Sequence, residues 1–252
     1  MAWFENSGSR IYYEESGSGE PVLLLPGWGG TIDEFAQLRA ALAQKFRVIA
    51  ADVPGSGKSG PQPRTYTPTY YQDDVPVLLS MLDAIGASPA HLVGFSDGGE
   101  YELLMSAVRP NAVRSVVTWG SAGSLGTNVQ MADAMSTLID SPIPPMADFS
   151  AYMKATYGEA NARIMTQSAA KSFRAIMEAG GDISRSRAAS ISCPALLIAG
   201  EHDFLATPAL VSELAGAIPR GEFLEAKGAS HPIHHEQPDW LVETVVGWLA
   251  KQ

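Results

Sequence analysis

The sequence predicts an α/β fold: a mostly parallel, doubly wound sheet with a helical insertion. Two observations predict it. Short apolar, β-branched runs alternate with amphipathic helical patterns along most of the chain, and one long stretch carries helical patterns alone. Near-continuous apolar runs are typical of strands that are buried on both faces of a parallel sheet. Their alternation with helices indicates right-handed β-α-β units.

The strand-like runs give the predicted elements in order. An antiparallel edge strand is expected at residues 10–15, and parallel strands are expected at residues 21–26, 47–51, 91–95, 113–119, 195–199 and 222–226. Apolar residues at three- and four-residue spacing predict helices at residues 33–44, 70–85, 101–108 and 208–218. Pro76 lies inside the second of these helical patterns and should kink or restart that helix.

Residues 123–190 interrupt this alternation, because they carry helical patterns without a strand-like run. We interpret them as a helical cap, inserted into a core formed by residues 1–122 and 191–252. Six of the nine methionines lie in the cap: Met131, Met135, Met146, Met153, Met165 and Met177. Methionine is flexible and polarizable, and therefore suits an adaptable apolar pocket wall. The alternative is that these side chains only pack the cap onto the sheet.

Composition restricts the partners and the compartment. The 252 residues include 17 Lys and Arg against 27 Asp and Glu, a net charge of −10, without a basic cluster. This charge balance disfavours nucleic acid and anionic membrane surfaces as partners, because both attract basic patches. Cys193 is the single cysteine, which excludes an internal disulfide and a cysteine-based zinc site. With no signal peptide and no run of roughly 20 apolar residues, we expect a cytoplasmic protein without a membrane partner; the oligomeric state stays open.

A Gly-x-Ser-x-Gly motif at residues 94–98 places Ser96 between a predicted strand and a predicted helix. A serine at such a tight turn is held in a strained, exposed conformation, and the flanking glycines let neighbouring backbone approach closely. The start of the helix adds the positive end of a dipole beneath a developing oxyanion. Ser96 is therefore the candidate nucleophile. The alternative is a glycine-rich turn whose serine only caps the helix.

Serine needs a base to become nucleophilic, and His231 is the candidate base. It follows the predicted strand 222–226, in the sequence Gly-Ala-Ser-His. A nucleophile at such a turn is expected to be followed along the chain by the acid and then by the histidine, and His231 fits that order. His234 and His235 are the competing bases, with His202 a more distant one.

The candidate acid that orients the base is Asp203. It follows the predicted strand 195–199, at the edge of the sheet where catalytic groups gather in open α/β folds. Glu201 competes with it locally. The acid could also follow the preceding strand, but the first carboxylate there is the distant Asp133, which disfavours that arrangement.

Two backbone N–H groups are expected to form the oxyanion hole. One belongs to Asp97, directly after Ser96. The other belongs to Trp28, in the Pro-Gly-Trp-Gly-Gly sequence that follows the predicted strand 21–26. The alternative for this second segment is an ordinary glycine-rich turn.

Two other motifs are rejected. Residues 55–59 look like a phosphate-binding loop, but that motif requires a glycine at the position of Asp52. The sequence His231-x-x-His234-His235 suggests a metal site, yet no cysteine or Glu-x-x-His partner accompanies it. We therefore predict neither a metal nor a cofactor.

Taken together, these segments resemble the α/β-hydrolase superfamily, at residues 26–28, 52–59, 94–99, 200–203 and 228–231. More narrowly, the chain resembles the valacyclovir hydrolase (biphenyl hydrolase-like) group, at residues 23–27, 94–99, 118–120, 157–158 and 193–196. The cap departs from that group over much of its length. The resemblance implies an α/β-hydrolase fold and a catalytic triad of Ser96, Asp203 and His231.

In the narrower group, the Asp after the nucleophile is associated with holding the amino group of amino-acid esters. The resemblance places that role on Asp97, whose carboxylate would attract an ammonium group. The alternative is that Asp97 only stabilises the start of the helix. Glu100 lies in the same first turn, where it would either deepen the negative field of the Asp97 carboxylate or, as we mainly expect, stabilise the helix start.

The expected function is that of a serine hydrolase acting on small-molecule carboxylic esters, without a cofactor and with a possible preference for amino-acid esters. Haloalkane dehalogenases and epoxide hydrolases use an Asp nucleophile, and Ser96 disfavours them. Lactonases, perhydrolases and C–C bond hydrolases keep the serine triad and stay open as alternatives. So does a signalling receptor that retains the triad but works by binding a small ligand.

Overall fold

A mixed eight-stranded sheet forms the centre of the part of the chain that the computed structural model describes, residues 2–6, 8–144 and 146–252. The strands are β1 (Ala2–Asn6), β2 (Ser9–Ser16), β3 (Pro21–Leu25), β4 (Arg47–Ala51), β5 (Ala90–Phe95), β6 (Val113–Trp119), β7 (Ala195–Gly200) and β8 (Gly221–Ala226). Their order is β1-β2-β4-β3-β5-β6-β7-β8. The β1–β2 and β2–β4 pairs are antiparallel, and the other five are parallel. The fold is that of an α/β hydrolase.

The predicted strands are confirmed, and each ends within one residue of its expected limit. Strand β1 was missed. It is the outermost strand, and its residues alternate between exposed and half-buried rather than forming an apolar run. An edge strand with so little buried surface carries too weak a hydrophobic pattern to be detected.

Nine helices follow in the same described residues. They are α1 (Ala36–Leu42), α2 (Tyr70–Ala84), α3 (Asp97–Val108), α4 (Val129–Ser136), α5 (Met146–Tyr157), α6 (Glu159–Glu178), α7 (Pro208–Ala217), α8 (Ile233–Glu236) and α9 (Pro238–Leu249). None is both long and apolar enough to cross a bilayer.

Three helices differ from their predicted course. The helix predicted at residues 33–44 is divided into a 3₁₀ turn, Ile32–Phe35, and α1. Helix α2 continues through Pro76, so the predicted restart is wrong; the buried Val75 and Leu78 keep the helix packed on the core in spite of the lost hydrogen bond. Helix α3 begins at Asp97 instead of residue 101. Its first turn contains Gly98, where a Cβ atom would lie 2.3 Å from the carbonyl oxygen of Leu25, so close packing against β3 requires glycine there.

The core has two apolar clusters on opposite faces of the sheet. Strand β3 shows the division, because Leu23 and Leu25 belong to one cluster whereas Val22 and Leu24 belong to the other. Successive side chains of a strand point to opposite faces, so the two clusters lie on either side of β3. The first cluster includes residues of α2, α3 and α7, and the second includes residues of α1 and α9. The sheet is therefore covered on both faces.

Helices α4, α5 and α6 lie between β6 and β7, within the segment 123–190 that the sequence predicts to be a cap. Helices α5 and α6 contribute to a third apolar cluster, which includes Met153, Tyr157 and Met165 and against which Trp28 packs. The boundaries of cap and core stay a prediction. Because Met153 and Met165 are fully buried in this cluster, their observed contacts are packing contacts.

Candidate active site

Ser96 lies in a strained turn between β5 and α3. Its φ of 49° makes it the one non-glycine residue in the left-handed region among those that the structure describes. Only a surrounding structure that fixes the turn keeps such a backbone conformation in place. The turn also needs close packing: a Cβ atom at Gly27 would lie 3.3 Å from that of Ser96. The loop after β3 therefore passes directly beside the serine.

His231 connects Ser96 to Asp203. Its Nε2 lies 3.1 Å from Ser96 Oγ, and its Nδ1 lies 2.8 Å from Asp203 Oδ2. The buried Asp203 also accepts hydrogen bonds through Oδ1 from the N–H groups of Leu205 and Ala206. A carboxylate at Nδ1 favours the tautomer in which Nδ1 carries the proton, which leaves the Nε2 lone pair free to accept the serine proton.

The imidazole ring of His231 has little freedom to move. It packs on Phe95, with ring centroids 5.0 Å apart. On another side it meets Gly120, where a Cβ atom would lie 2.8 Å from His231 Cε1. Gly120 also has a φ of +70°, so both its backbone conformation and the space beside it require glycine.

The competing candidates lie in other environments. His234 Nδ1 accepts the indole N–H of Trp119 at 3.1 Å, His202 is exposed, and Glu201 Oε2 accepts the N–H of Gly228. Asp133 is exposed and forms an ion pair with an arginine of α6. The structure thus brings Ser96, His231 and Asp203 together, and it places none of these alternatives in their hydrogen-bonded chain.

Trp28 and Asp97, the predicted oxyanion donors, belong to segments that adjoin Ser96. Asp97 is the first residue of α3, and the N–H groups of a first helical turn lack intrahelical acceptors. Trp28 lies in a turn closed by a 3.0 Å hydrogen bond from the Gly30 N–H to the Gly27 carbonyl. Their role as a pair of donors stays a prediction.

The Asp97 carboxylate is anchored on one side. Its Oδ1 accepts hydrogen bonds from the hydroxyls of Tyr70, at 2.6 Å, and Tyr71. Burial raises the pKa of Asp97, while the two phenolic donors act in the opposite direction. Asp97 therefore ties α2 to the Ser96 turn, a structural contact that the sequence did not reveal.

Glu100 makes contacts beyond the first turn of α3. Its Oε1 accepts the N–H groups of Ala122 and Gly123 at 2.9 and 3.0 Å. The side chain faces the segment that leaves β6 because α3 packs against that strand. Burial raises the pKa of Glu100 to about 8. Glu100 therefore holds the first residue of the predicted cap against the helix that follows Ser96.

Glu34, His234 and His235 place possible metal-ligand atoms within 4.8 Å of one another. Glu34 Oε2 lies 3.7 Å from His234 Nε2. The indole N–H of Trp119 occupies the Nδ1 lone pair of His234, so the neutral imidazole carries its proton on Nε2. A protonated Nε2 cannot bind a metal ion, and this arrangement therefore does not fit a metal site. No sequence motif connects Glu34 with these two histidines.

Comparisons with known proteins agree with this architecture. The model of the alpha/beta hydrolase family matches residues 22–244. The serine hydrolase BPHL of Homo sapiens is 28% identical over 207 residues, which cover 78% of this chain and 68% of the human protein. The pimeloyl-acyl-carrier-protein methyl ester esterase of Chromobacterium violaceum is 26% identical over 253 residues, covering 90% of this chain and 94% of that protein.

Among solved structures, the enol-lactonase from Burkholderia xenovorans is similar to this chain with a TM-score of 0.77 and 25% sequence identity. The similarity covers 99% of this chain and 100% of the lactonase. The arrangement of sheet and helices is therefore shared over the whole length of both proteins.

The titration of Glu100 should be visible in the thermal stability. Folding raises the pKa of Glu100 from the ordinary 4.5 to about 8. Protonation of Glu100 therefore contributes fully to the free energy of unfolding below about pH 4.5, and this contribution is lost as the pH rises to about 8. The Tm of Glu100→Gln relative to the wild type should therefore rise between about pH 5 and pH 8. Thermal melts across this range measure the effect. The exposed Glu243→Gln serves as control, and a Tm difference independent of pH for Glu100→Gln would contradict the assignment.

Proposed function

This chain belongs to the alpha/beta hydrolase family, and on that premise we propose that it is a serine hydrolase that cleaves carboxylic esters of small molecules. The observation that carries the proposal is the hydrogen-bonded chain from Ser96 Oγ through His231 to Asp203, with distances of 3.1 and 2.8 Å. The same hydrogen-bonded arrangement of serine, histidine and aspartate activates serine nucleophiles on several unrelated folds.

The mechanism begins with attack of Ser96 Oγ on the ester carbonyl carbon, while His231 Nε2 takes the hydroxyl proton. The N–H groups of Trp28 and Asp97 stabilise the tetrahedral oxyanion. His231 then gives its proton to the leaving alcohol, and the C–O bond breaks to leave an acyl group on Ser96. The buried Asp203 keeps the imidazole in the right tautomer and stabilises the imidazolium that forms.

Water completes the cycle. His231 Nε2 takes a proton from the water as its oxygen attacks the acyl carbon, and a second tetrahedral intermediate forms in the same oxyanion hole. When this intermediate collapses, the proton returns to Ser96 Oγ and the carboxylic acid leaves. Each step uses only side chains and backbone groups of this chain, so the proposed reaction requires no cofactor.

The similarity to an esterase and to an enol-lactonase supports an acyl–oxygen bond as the point of cleavage. A lactone is a cyclic ester, and its opening requires the same nucleophile, base and oxyanion donors. We therefore include lactones in the proposed substrate class. The fold alone does not select the acyl or the alcohol group.

Asp97 gives the proposal a finer form, a preference for esters of amino acids. Its carboxylate directly follows Ser96, and only Oδ1 is engaged by the two tyrosine hydroxyls. A carboxylate in this place would attract the ammonium group of an amino-acid ester and repel a carboxylate substrate. The structural contact to α2 is the competing explanation for an acid at this position.

Replacement of Ser96 tests the nucleophile. Purified protein should hydrolyse a short-chain p-nitrophenyl ester, and Ser96→Ala should lower kcat/KM at least about 10³-fold, because no other group forms the acyl-enzyme. His231→Ala should have a similar effect, whereas the exposed His202→Ala should keep wild-type turnover. Ester hydrolysis by Ser96→Ala at the wild-type rate would overturn the mechanism, and ligand binding without ester turnover in the wild type would overturn the proposed function.

The amino-group preference has a separate test. Hydrolysis of a valine ester should be at least about 10-fold faster than that of its N-acetyl form, since a charged group paired with a carboxylate is worth roughly 1.5–3 kcal/mol. Asp97→Asn should remove this difference by slowing the valine ester, while hydrolysis of the N-acetyl ester serves as the internal control. Equal rates for the two esters in the wild type would refute the preference and leave the serine mechanism intact.

A further inference from the structure

The loop that carries one proposed oxyanion donor packs against the cap. We define the oxyanion loop as residues 27–31. The side chain of Trp28 contacts the apolar cluster formed by α5 and α6. Its ring centroid lies 5.9 Å from that of Phe149 on α5 and 6.5 Å from that of Phe173 on α6. The oxyanion loop therefore has a cap surface on one side and the Ser96 turn on the other.

Tyr157, the last residue of α5, holds the oxyanion loop through its hydroxyl. The hydroxyl donates to the carbonyl oxygen of Gly29 at 2.9 Å and accepts the N–H of Gly57 at 2.8 Å. Burial raises the pKa of Tyr157 to about 12, so the phenol keeps its proton at neutral pH and can make both hydrogen bonds. One hydroxyl group thus bridges the loop after β3 and the loop after β4.

Two further contacts join α5 to the same loop. The hydroxyl of Tyr152 donates to Glu34 Oε1 at 3.1 Å, and the same oxygen accepts the N–H of Thr31 at 3.1 Å. Met153 lies against Gly29, where a Cβ atom would be 2.7 Å from its sulfur and where φ is +71°. The loop is therefore fixed by α5 at its middle and at its end.

We propose that α5 is a positioning element for the oxyanion hole, and that Tyr157 is its principal residue. Tyr157 holds the carbonyl of Gly29 and thereby limits the movement of the turn that carries the Trp28 N–H. This inference rests on the proposed ester hydrolysis.

The contact between Tyr157 and Gly29 should affect kcat rather than KM. An oxyanion exists only in the transition state and the tetrahedral intermediates, so a misplaced donor lowers kcat more than it raises KM. Removal of one oxyanion donor costs about 10²–10³ in kcat. Loss of a residue that only positions the donor should cost less, on the order of 10- to 100-fold.

Tyr157→Phe tests the inference, because it keeps the ring in the apolar cluster and removes both hydrogen bonds. The expected result is a kcat lower by about 10- to 100-fold with KM within about threefold of the wild type. The affinity for a boronic acid that forms a tetrahedral adduct on Ser96 should fall in parallel, whereas inhibition by the product acid should be unchanged.

Ser150→Ala is the matched control on the same helix. Ser150 is buried, and its hydroxyl donates to the carbonyl oxygen of Ile139 at 2.7 Å, an acceptor that is not part of the oxyanion loop. This variant should keep the wild-type kcat and boronic-acid affinity. The half-buried Tyr152→Phe provides a second test should Tyr157→Phe fail to fold, with a smaller loss of kcat in the same direction.

The inference is overturned if Tyr157→Phe or, where that variant does not fold, Tyr152→Phe keeps the wild-type kcat. It is also overturned if Ser150→Ala loses kcat to the same extent, since the effect would then be general damage to the cap. Failure of the proposed function has a different signature: the wild type would hydrolyse no ester, and a fluorophosphonate would not label Ser96.

Discussion

The left-handed backbone of Ser96 is the constraint on which the geometry of the site depends. Such a conformation costs about 1–3 kcal/mol in a residue other than glycine, and it persists only where the surroundings fix it. Three elements do so. The Ser96 N–H donates to the carbonyl oxygen of Trp119 on β6, and the Ser96 carbonyl accepts the Ser121 hydroxyl. Helix α3 packs Gly98 against the carbonyl oxygen of Leu25 on β3. The strain is thus balanced by packing of β3, β6 and α3, which also fixes where the serine oxygen points.

Much of this arrangement could be predicted from the sequence, because its determinants are local. Apolar, β-branched runs gave the parallel strands to within one residue, and the Gly-x-Ser-x-Gly motif gave the turn at Ser96. The order of Ser96, Asp203 and His231 along the chain indicated which strand ends to compare. The start of α3 was misplaced because Gly98 and Gly99 are poor helix formers, and their helical conformation depends on close contact with other strands.

Contacts between distant segments could not be predicted in this way. Tyr157 forms hydrogen bonds with Gly29 and Gly57, which are 128 and 100 positions away, and no local pattern marks a tyrosine for such a role.

The buried acids of α3 show a second property that the sequence does not reveal. Glu102 is fully buried, and burial raises its pKa well above the ordinary value. A sequence shows that an acid is present but not the environment that decides its charge.

The carbonyl oxygen of Gly123 accepts the N–H groups of Ile183, Ser184 and Arg185, so the two ends of the helical segment between them meet at one point. These hydrogen bonds close the helical excursion with a short stem beside the sheet. Helices can be lengthened, lost or exchanged beyond the stem while the neighbouring strands keep their register, and the entropy of closing a longer excursion grows only slowly with its length. The length of this excursion can therefore change with little loss of stability in the strands that hold Ser96 and His231 in place.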